Sequence, residues 1–393
     1  MEIEFNELVY ALSGALDAIE SEILGVTTNH SKRVAYLSVK MSGLEGKERT
    51  YLAAAALLND NALSEFITEE YYHHSNGPMS LDKHCINGEK NIEKLDLHNK
   101  IPGVILYHHE EANGSGPFHL KAEDTPLLAQ IVHLADILDL NMTLSYVDGT
   151  KMVKINQFLD TYTDVFFAKN IVDLYHENVD LLTLQKMADL NKKELDSEIP
   201  IIINDYSDEQ LIHIAEFFGR IVDYKSPFTK DHSMEMADKM KTMAAYYQFD
   251  AHKQALMFFT GAMHDIGKVY IKTDVLEKQS SLTSREYEII KTHVEYSHEI
   301  LSQIHGLEDV ARWAGNHHER LNGSGYPRGL KENDLDFESR LIGALDVYQA
   351  LREIRPYKEE LSHHDSMTIL YDMVRNGELD EKIVKDIDHV FAD

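Results

Sequence analysis

The same succession of histidines and acidic residues occurs twice in this 393-residue chain. The tetrapeptide Asn113-Gly114-Ser115-Gly116 recurs as Asn322-Gly323-Ser324-Gly325. Five further matches, in the same order, pair His30, Asn59-Asp60, His84, His108-His109-Glu110 and Asp136 with His232, His264-Asp265, His293, His317-His318-Glu319 and Asp346. The spacing drifts only from 202 residues between the first pair of histidines to 210 between the last pair of aspartates. These ordered matches predict two copies of one fold.

The segments that carry these residues are patterned as helices. Thr283-Ser284-Arg285-Glu286 is a capping box, and it predicts a helix that carries His293 and reaches about Ile304. Ser207-Asp208-Glu209-Gln210 is a second capping box, and residues Phe337 to Ile354 repeat apolar side chains at helical spacing. These patterns predict an all-α fold made of two tandem helical bundles.

Strand-like and linker-like segments are few. The best short strand candidate is Ile201 to Ile203, and the stretch from Leu182 to Glu198 before it is polar enough to contain a linker. We therefore predict two domains, residues 1–195 and residues 196–393.

Charge and cysteine content restrict the partners and the compartment. The formal net charge is −29, from 38 basic and 67 acidic side chains, so polymeric nucleic acid is not expected as a partner. No run approaches the roughly 18 apolar residues of a membrane span, and the acidic start of the chain lacks the basic region of a signal peptide. The single cysteine, Cys85, fits a reducing compartment. We expect a soluble, cytoplasmic protein.

The second copy concentrates residue types that suit a dinuclear metal site. His317-His318 is a pair of neighbouring imidazoles, His264-Asp265 joins an imidazole to a carboxylate, and Asp346 lies within an apolar helical pattern. Neutral imidazole is the commonest ligand of transition metals, and a buried carboxylate without a partner is costly. Two such ions can activate a shared water for attack on phosphorus. The pattern therefore favours hydrolysis of a phosphodiester.

From about Val222 to Lys358 the second copy resembles the HD-GYP family, a branch of the HD metal-dependent phosphohydrolases. The matching positions are His232, His264-Asp265, Lys268, His293, His317-His318, Gly323-Ser324-Gly325-Tyr326-Pro327 and Asp346. The resemblance implies an HD-type bundle for each copy. It implies one divalent metal ion held by His232, His264 and Asp346. It implies a second ion, bridged to the first by Asp265, on His293, His317 and His318. Iron and manganese are the expected metals.

The same resemblance implies a cyclic dinucleotide phosphodiesterase of bacterial second-messenger signalling. The expected substrate is cyclic di-GMP, cut to linear pGpG and often on to GMP by a hydroxide that bridges the two ions. Asp265 and Lys268 are the expected catalytic residues, because Lys268 lies three positions on and can direct its ammonium at a substrate phosphate. Further substrate contacts are expected from Tyr326, Pro327, Arg355 and Lys358. Diguanylate cyclase (GGDEF) domains are an expected partner of the Gly-Tyr-Pro loop.

The first copy departs from this pattern at two positions that matter for catalysis. Asn59 stands where the second copy has His264, and Leu63 stands where it has Lys268. We therefore predict that the first copy is degenerate and serves a regulatory or structural role. Its remaining histidines and aspartates could still hold one metal ion.

Departures in the second copy leave other functions open. Asn322 replaces the aspartate that usually precedes the Gly-Ser-Gly-Tyr-Pro run. Val294 and Ser297 replace a common proline and glycine after His293, which is a milder change on a helix. Phe228 occupies the place of an acid in three-metal members, so a third ion is not expected. The alternatives are a 3′3′-cyclic GMP-AMP phosphodiesterase, a receptor or adaptor that binds a cyclic dinucleotide without turnover, and a phosphohydrolase of nucleotide monophosphates or guanosine alarmones.

Several polar residues are interpreted as surface residues. Glu110-Glu111 is expected on a solvated face, and His363-His364, in a polar Leu-Ser-His-His-Asp segment, is expected in solvent. Tyr326 is interpreted equally as an aromatic platform for a base and as a loop residue that packs on its own domain.

Overall fold

The computed structural model describes residues 1–23, 25, 27–63, 81–188, 190, 192–223, 225, 232–278, 280–353 and 360–392. The chain divides into a first unit, residues 4–204, and a second unit, residues 205–393 with residues 1–3. Regular structure is almost entirely helical in both units, which confirms the predicted all-α class. The predicted domain boundary between residues 195 and 196 stays a proposal. Among the described residues, no helix combines the length and the apolar character that a membrane crossing needs.

The first unit places each of its landmark residues on or beside a helix. Helix α2 packs against α3 and α5. His30 begins α2, Asn59-Asp60 follows α3, His84 lies on α4 and Asp136 lies on α5. In chain order the helices are α1 (Phe5–Ile23), α2 (His30–Ser42), α3 (Lys47–Leu57), α4 (Leu81–Ile92), α5 (Leu127–Met142), α6 (Gly149–Tyr162), α7 (Lys169–Asn178), α8 (Leu181–Lys186) and α9 (Lys192–Asp196).

The second unit repeats this arrangement. Its helices are α10 (Asp208–Asp223), α11 (His232–Tyr246), α12 (Ala251–Met263), α13 (Thr273–Leu276), α14 (Ser284–Ser302), α15 (Glu308–Ala314), α16 (Phe337–Arg352), α17 (His363–Arg375) and α18 (Glu381–Val390). Helix α11 packs against α12 and α16, as α2 packs against α3 and α5. His232 begins α11, His264-Asp265 follows α12, His293 lies on α14 and Asp346 lies on α16. The repeated packing confirms two tandem bundles of one type.

Local sequence signals explain where several of these helices begin. The predicted capping box at Thr283 is confirmed, since Thr283 Oγ1 accepts the Glu286 N–H at 3.3 Å and Glu286 Oε2 accepts the Thr283 N–H at 2.7 Å. Ser207 and Gln210 exchange the same pair of hydrogen bonds before α10. Each box satisfies backbone N–H groups that the first helical turn leaves without partners.

The two short strands are β1 (Glu2–Glu4) and β2 (Ile203–Asp205), which pair in a two-stranded sheet. The predicted strand at residues 201–203 is therefore placed two residues too early. The reason is visible at Ile202, whose backbone N–H is bound by the Asn6 side chain at 3.1 Å instead of by a strand.

The core of the second unit lies where α10, α11 and α12 meet. Phe217, Phe218 and Phe259 are at most 1% exposed there, and the rings of Phe218 and Phe259 lie 6.4 Å apart. Burial of one such side chain contributes about 1.5–3 kcal/mol to folding. This packing fixes the direction in which α12 delivers His264 and Asp265.

Candidate metal centre

The structure brings together all seven side chains that the sequence predicts as metal ligands in the second unit. Their nitrogen and oxygen atoms form three overlapping groups, each with its ligand atoms within 4.8 Å of one another. The groups are His293, His317 and His318; His232, His264 and Asp346; and His264, Asp265 and His317. The third group shares His317 with the first and His264 with the second, so it connects these two outer groups. Their assignment as ligands stays a prediction.

Asp265 lies between the two outer groups. Its Oδ2 is 2.5 Å from Lys268 Nζ and 3.2 Å from His264 Nε2, whereas its Oδ1 is 3.2 Å from His293 Nε2. Burial works to raise the pKa of Asp265, but the Lys268 ammonium and the His264 imidazole outweigh burial and hold the pKa well below its usual value. The carboxylate is therefore ionised and presents one oxygen to each group of imidazoles.

A close contact between two elements sets the position of Asp265. The 3-10 helix Ile266–Tyr270 directly after Asp265 packs against α14. A Cβ added at Gly267 would overlap the carbonyl oxygen of His293 and lie 2.7 Å from Ser297 N, so only glycine permits this approach. The Gly267 N–H donates to Ser297 Oγ at 2.9 Å. Sequence reasoning treated Ser297 as a mild departure and missed this contact.

The imidazoles are oriented by backbone carbonyls. Nδ1 of His264, His293 and His317 lies 2.6–2.7 Å from the carbonyl oxygen three positions earlier in each case, on Gly261, Ile290 and Ala314. Each ring donates from Nδ1, which leaves the lone pair of Nε2 directed at the centre. Burial, together with the neighbouring imidazoles, lowers the pKa of His317 and of His318 well below its ordinary value.

Buried polar atoms in the centre lack partners of their own. Among the described residues, Nε2 of His232, Nε2 of His264 and Oδ1 of Asp265 are buried without a hydrogen-bond partner. Such atoms are costly unless another group satisfies them. Neutral imidazole nitrogens and an ionised carboxylate are the donors that first-row transition metals prefer, so the residues present fit such ions.

Glu353 binds the ring nitrogen of His232 that faces away from Asp265. Its carboxylate hydrogen-bonds Nδ1 of His232, and Gln349 Nε2 donates to Glu353 Oε1 at 2.8 Å. Burial works to lower the pKa of His232, but the nearby carboxylates of Asp265 and Glu353 raise it to about 9. Sequence reasoning missed Glu353. Its position seven residues, or two helical turns, after Asp346 was the available signal.

The Gly-Tyr-Pro loop closes over the same centre. Glu319 holds it, because its carboxylate accepts the N–H groups of Arg328 at 2.7 Å and Leu330 at 2.9 Å. The ring of Tyr326 lies 4.8 Å from that of His318, and burial raises the pKa of its hydroxyl. Pro327 beside it is half-buried. Tyr326 thus packs on its own domain while bordering the candidate centre, and its role towards substrate stays a prediction.

Some predictions about single residues are wrong, and others concern residues that the structure does not describe. Glu110 is only 2% exposed and His363 only 9%, so neither is solvated as expected. Glu110 accepts backbone N–H groups of its own loop, and His363 bonds the Tyr348 hydroxyl at 2.9 Å. Their polar neighbours in sequence did not reveal these partners. Predictions were also made for Arg355, Lys358 and Phe228, and these three lie outside the residues that the structure describes.

Comparison with known proteins agrees with the duplicated fold. Two family models, each described as an HD domain, match residues 27–141 and 216–383. The 3′3′-cGAMP-specific phosphodiesterase 1 of Vibrio cholerae is 26% identical over 97% of this chain and 90% of its own length. A cyclic di-GMP phosphodiesterase of Thermotoga maritima is 30% identical over 48% of this chain and 51% of its own length. A crystal structure of a cyclic GMP-AMP specific phosphodiesterase from V. cholerae superposes with a TM-score of 0.68 at 20% identity, covers 99% of this chain and 98% of its own, and shows the shared fold.

The fold and the two family matches define a protein with tandem HD domains, a domain type that depends on metal ions. The chain is homologous to the cyclic dinucleotide phosphodiesterases of the HD-GYP family.

Proposed function

We propose that the second unit hydrolyses a cyclic dinucleotide at a centre of two divalent metal ions. The observation that carries this proposal is the position of Asp265, whose two oxygens face different groups of imidazoles. The proposed ligands are His232, His264 and Asp346 for one ion, His293, His317 and His318 for the other, and Asp265 for both. Iron or manganese suits this mixture of nitrogen and oxygen donors.

Two bound ions would lower the pKa of a water between them and stabilise charge on the phosphoryl oxygens. The side chains of this unit prepare for that chemistry. The Nδ1 hydrogen bonds of His264, His293 and His317 hold these three rings in the tautomer that leaves Nε2 free to bind, and Asp265 remains ionised. Lys268, held 2.5 Å from Asp265 Oδ2, places an ammonium where a substrate phosphate would meet the centre. We assign Lys268 to stabilisation of the transition-state charge.

Cyclic di-GMP is the first proposed substrate, cut to linear pGpG and on to GMP. A specific observation favours 3′3′-cyclic GMP-AMP as a second candidate. The V. cholerae enzyme named for that substrate is similar over 97% of this chain, whereas the T. maritima enzyme named for cyclic di-GMP is similar over 48%. Substrate contacts from Tyr326, Pro327, Arg355 and Lys358 stay proposals. The comparisons give no support for a diguanylate cyclase partner, which also stays a prediction.

The test is a substrate panel on the purified full chain. The chain is stripped of metal, supplied with Mn²⁺ or Fe²⁺, and incubated with cyclic di-GMP, 3′3′-cyclic GMP-AMP and linear pGpG, and products are separated by chromatography. We expect a linear dinucleotide from at least one cyclic substrate, and no product after chelation. Tight binding of a cyclic dinucleotide by the metal-loaded chain without any product would contradict an enzyme and support a receptor.

A further inference from the structure

The first unit contains a second cluster of imidazoles around a carboxylate. Ligand atoms of Asp60, His84, His108 and His109 lie within 4.8 Å of one another. His84 and His108 are fully buried, and the cluster draws on three separate segments of the unit: the end of α3, helix α4 and the loop before α5. Nothing in the proposed function uses this cluster.

The three ring centroids keep the spacing of the corresponding centroids in the second unit. Distances between ring centroids are 5.4, 5.5 and 3.9 Å for the pairs His84–His108, His84–His109 and His108–His109. The matching distances are 5.3, 5.2 and 4.1 Å for His293–His317, His293–His318 and His317–His318. The ring planes are turned differently, at 73°, 43° and 39° against 49°, 86° and 45°, but the spacing of the three rings is kept.

One ring nitrogen each of His84 and His108 faces the Asp60 carboxylate. Nδ1 of His108 lies 2.6 Å from the carbonyl oxygen of Ile105, three positions earlier, so that Nε2 is turned inward. This Nε2 is buried and lies 3.6 Å from Asp60 Oδ1, longer than a hydrogen bond. Nε2 of His84 lies 3.0 Å from the same oxygen. The nitrogens therefore converge on one oxygen of Asp60.

The other oxygen of Asp60 is hydrogen-bonded to an amide group. Asp60 Oδ2 accepts a hydrogen bond from the Asn59 amide at 2.9 Å, where the second unit has an imidazole. His30 uses both ring nitrogens within the protein, with Nε2 at 3.0 Å from Asp136 and Nδ1 at 2.6 Å from Asp139. His30 also falls in a group with Glu20 and Asp60, but its nitrogens are already bound by carboxylates. Among the described residues of the first unit, the clusters beside Asp60 offer no further imidazole for a second ion.

We infer that the first unit binds one divalent transition-metal ion through Asp60, His84, His108 and His109. Three imidazoles and one carboxylate suit Zn²⁺, Fe²⁺ or Mn²⁺. The ion would cross-link the end of α3, helix α4 and the loop before α5. Leu63 stands where the second unit has a lysine, so this position offers no ammonium for a phosphate. The site holds metal for stability and not for turnover.

The experiment uses the full chain and measures metal directly. Wild type, His108→Gln/His109→Gln and the matched pair His317→Gln/His318→Gln are loaded with each of Zn²⁺, Fe²⁺ and Mn²⁺ and assayed for bound metal by elemental analysis. The exposed His364→Gln serves as the control for handling. We expect the first-unit variant to lose one equivalent relative to wild type, and the second-unit variant to keep that equivalent. Unchanged metal content in the first-unit variant overturns the inference.

A second measurement decides the case if a variant misfolds. Anomalous diffraction from metal-loaded wild-type crystals is expected to show one peak among His84, His108 and His109, next to Asp60 Oδ1. Absence of that peak overturns the inference whatever is found in the second unit. Absence of peaks in the second unit alone would instead overturn the proposed catalytic centre, so the two failures are distinguishable.

Discussion

Asp60 and Asp265 occupy the same place in two copies of one bundle, and their surroundings differ on one side only. Both carboxylates face imidazoles through Oδ1. Through Oδ2, Asp265 faces His264 and Lys268, whereas Asp60 accepts a hydrogen bond from Asn59. The comparison teaches that the two units share imidazoles around Oδ1 and differ in what lies around Oδ2.

A network of ion pairs surrounds His30 in the first unit. In the first unit, His30 and Arg33 both bind Asp139, with Arg33 Nη2 at 2.8 Å. At the matching positions of the second unit, Gln349 donates to Glu235 at 2.7 Å, and His232 keeps Nε2 directed at the centre. His30 has a carboxylate at each ring nitrogen, Asp139 at Nδ1 and Asp136 at Nε2, whereas Glu353 binds His232 through Nδ1.

Asp265→Asn is the strongest test of this comparison. Loss of the ionised bridge is expected to lower the rate of cyclic dinucleotide hydrolysis by more than about 10³-fold. The rate is measured by chromatography beside Asp309→Asn, a surface aspartate paired with Arg312. Turnover that survives in Asp265→Asn would place catalysis outside the second-unit centre.

His30→Gln tests the ion-pair network of the first unit. Burial works to lower the pKa of His30, but its bonds to Asp136 and Asp139 raise it from 6.5 to about 11. The stabilisation is therefore complete below pH 6.5 and is lost as the pH rises through about 11. We expect the variant to lose about 3 kcal/mol at neutral pH and progressively less towards pH 11.

Hydrogen exchange of the α2 amides measures this loss in the first unit. The single tryptophan, Trp313, lies in the second unit and reports on it separately by fluorescence. A loss that does not shrink with rising pH would show that His30 is neutral in the folded chain.

Lys268→Met and Leu63→Met form a matched pair at corresponding positions. Loss of the Lys268 ammonium is expected to lower kcat about 10²-fold, because a cation aimed at developing charge acts mainly in the transition state. Leu63→Met keeps an apolar side chain and is expected to leave kcat unchanged. Steady-state kinetics measures kcat for both variants. An equal loss of kcat in the two would contradict the proposal that only the second unit is catalytic.

Glu319→Gln and Glu110→Gln sharpen the comparison at the loops. Each carboxylate accepts two backbone N–H groups of its own loop, and loss of one acceptor is expected to destabilise that loop by about 1–2 kcal/mol. Hydrogen exchange measures both losses. Only Glu319→Gln is expected to slow hydrolysis, since its loop borders His318. Slower hydrolysis in Glu110→Gln as well would tie the first unit to catalysis.

Much of this architecture is readable from local sequence signals. The capping box at Thr283 predicted the start of α14, and the spaced histidines and aspartates predicted which side chains of the second unit come together. Those signals depend on neighbours a few residues apart. Glu110 and His363 were misjudged because their partners are set by a folded loop and by a distant acid, Asp388. Ser297 was undervalued for the same reason.

The order of motifs by itself determined that the chain duplicates one helical bundle and that the second copy gathers six histidine and aspartate positions around Asp265. Only the tertiary structure decided how each carboxylate oxygen is used. His30 meets Asp139 across 109 residues, and His232 meets Glu353 across 121. Contacts that far apart depend on how helices pack, which a residue's neighbours in sequence do not specify.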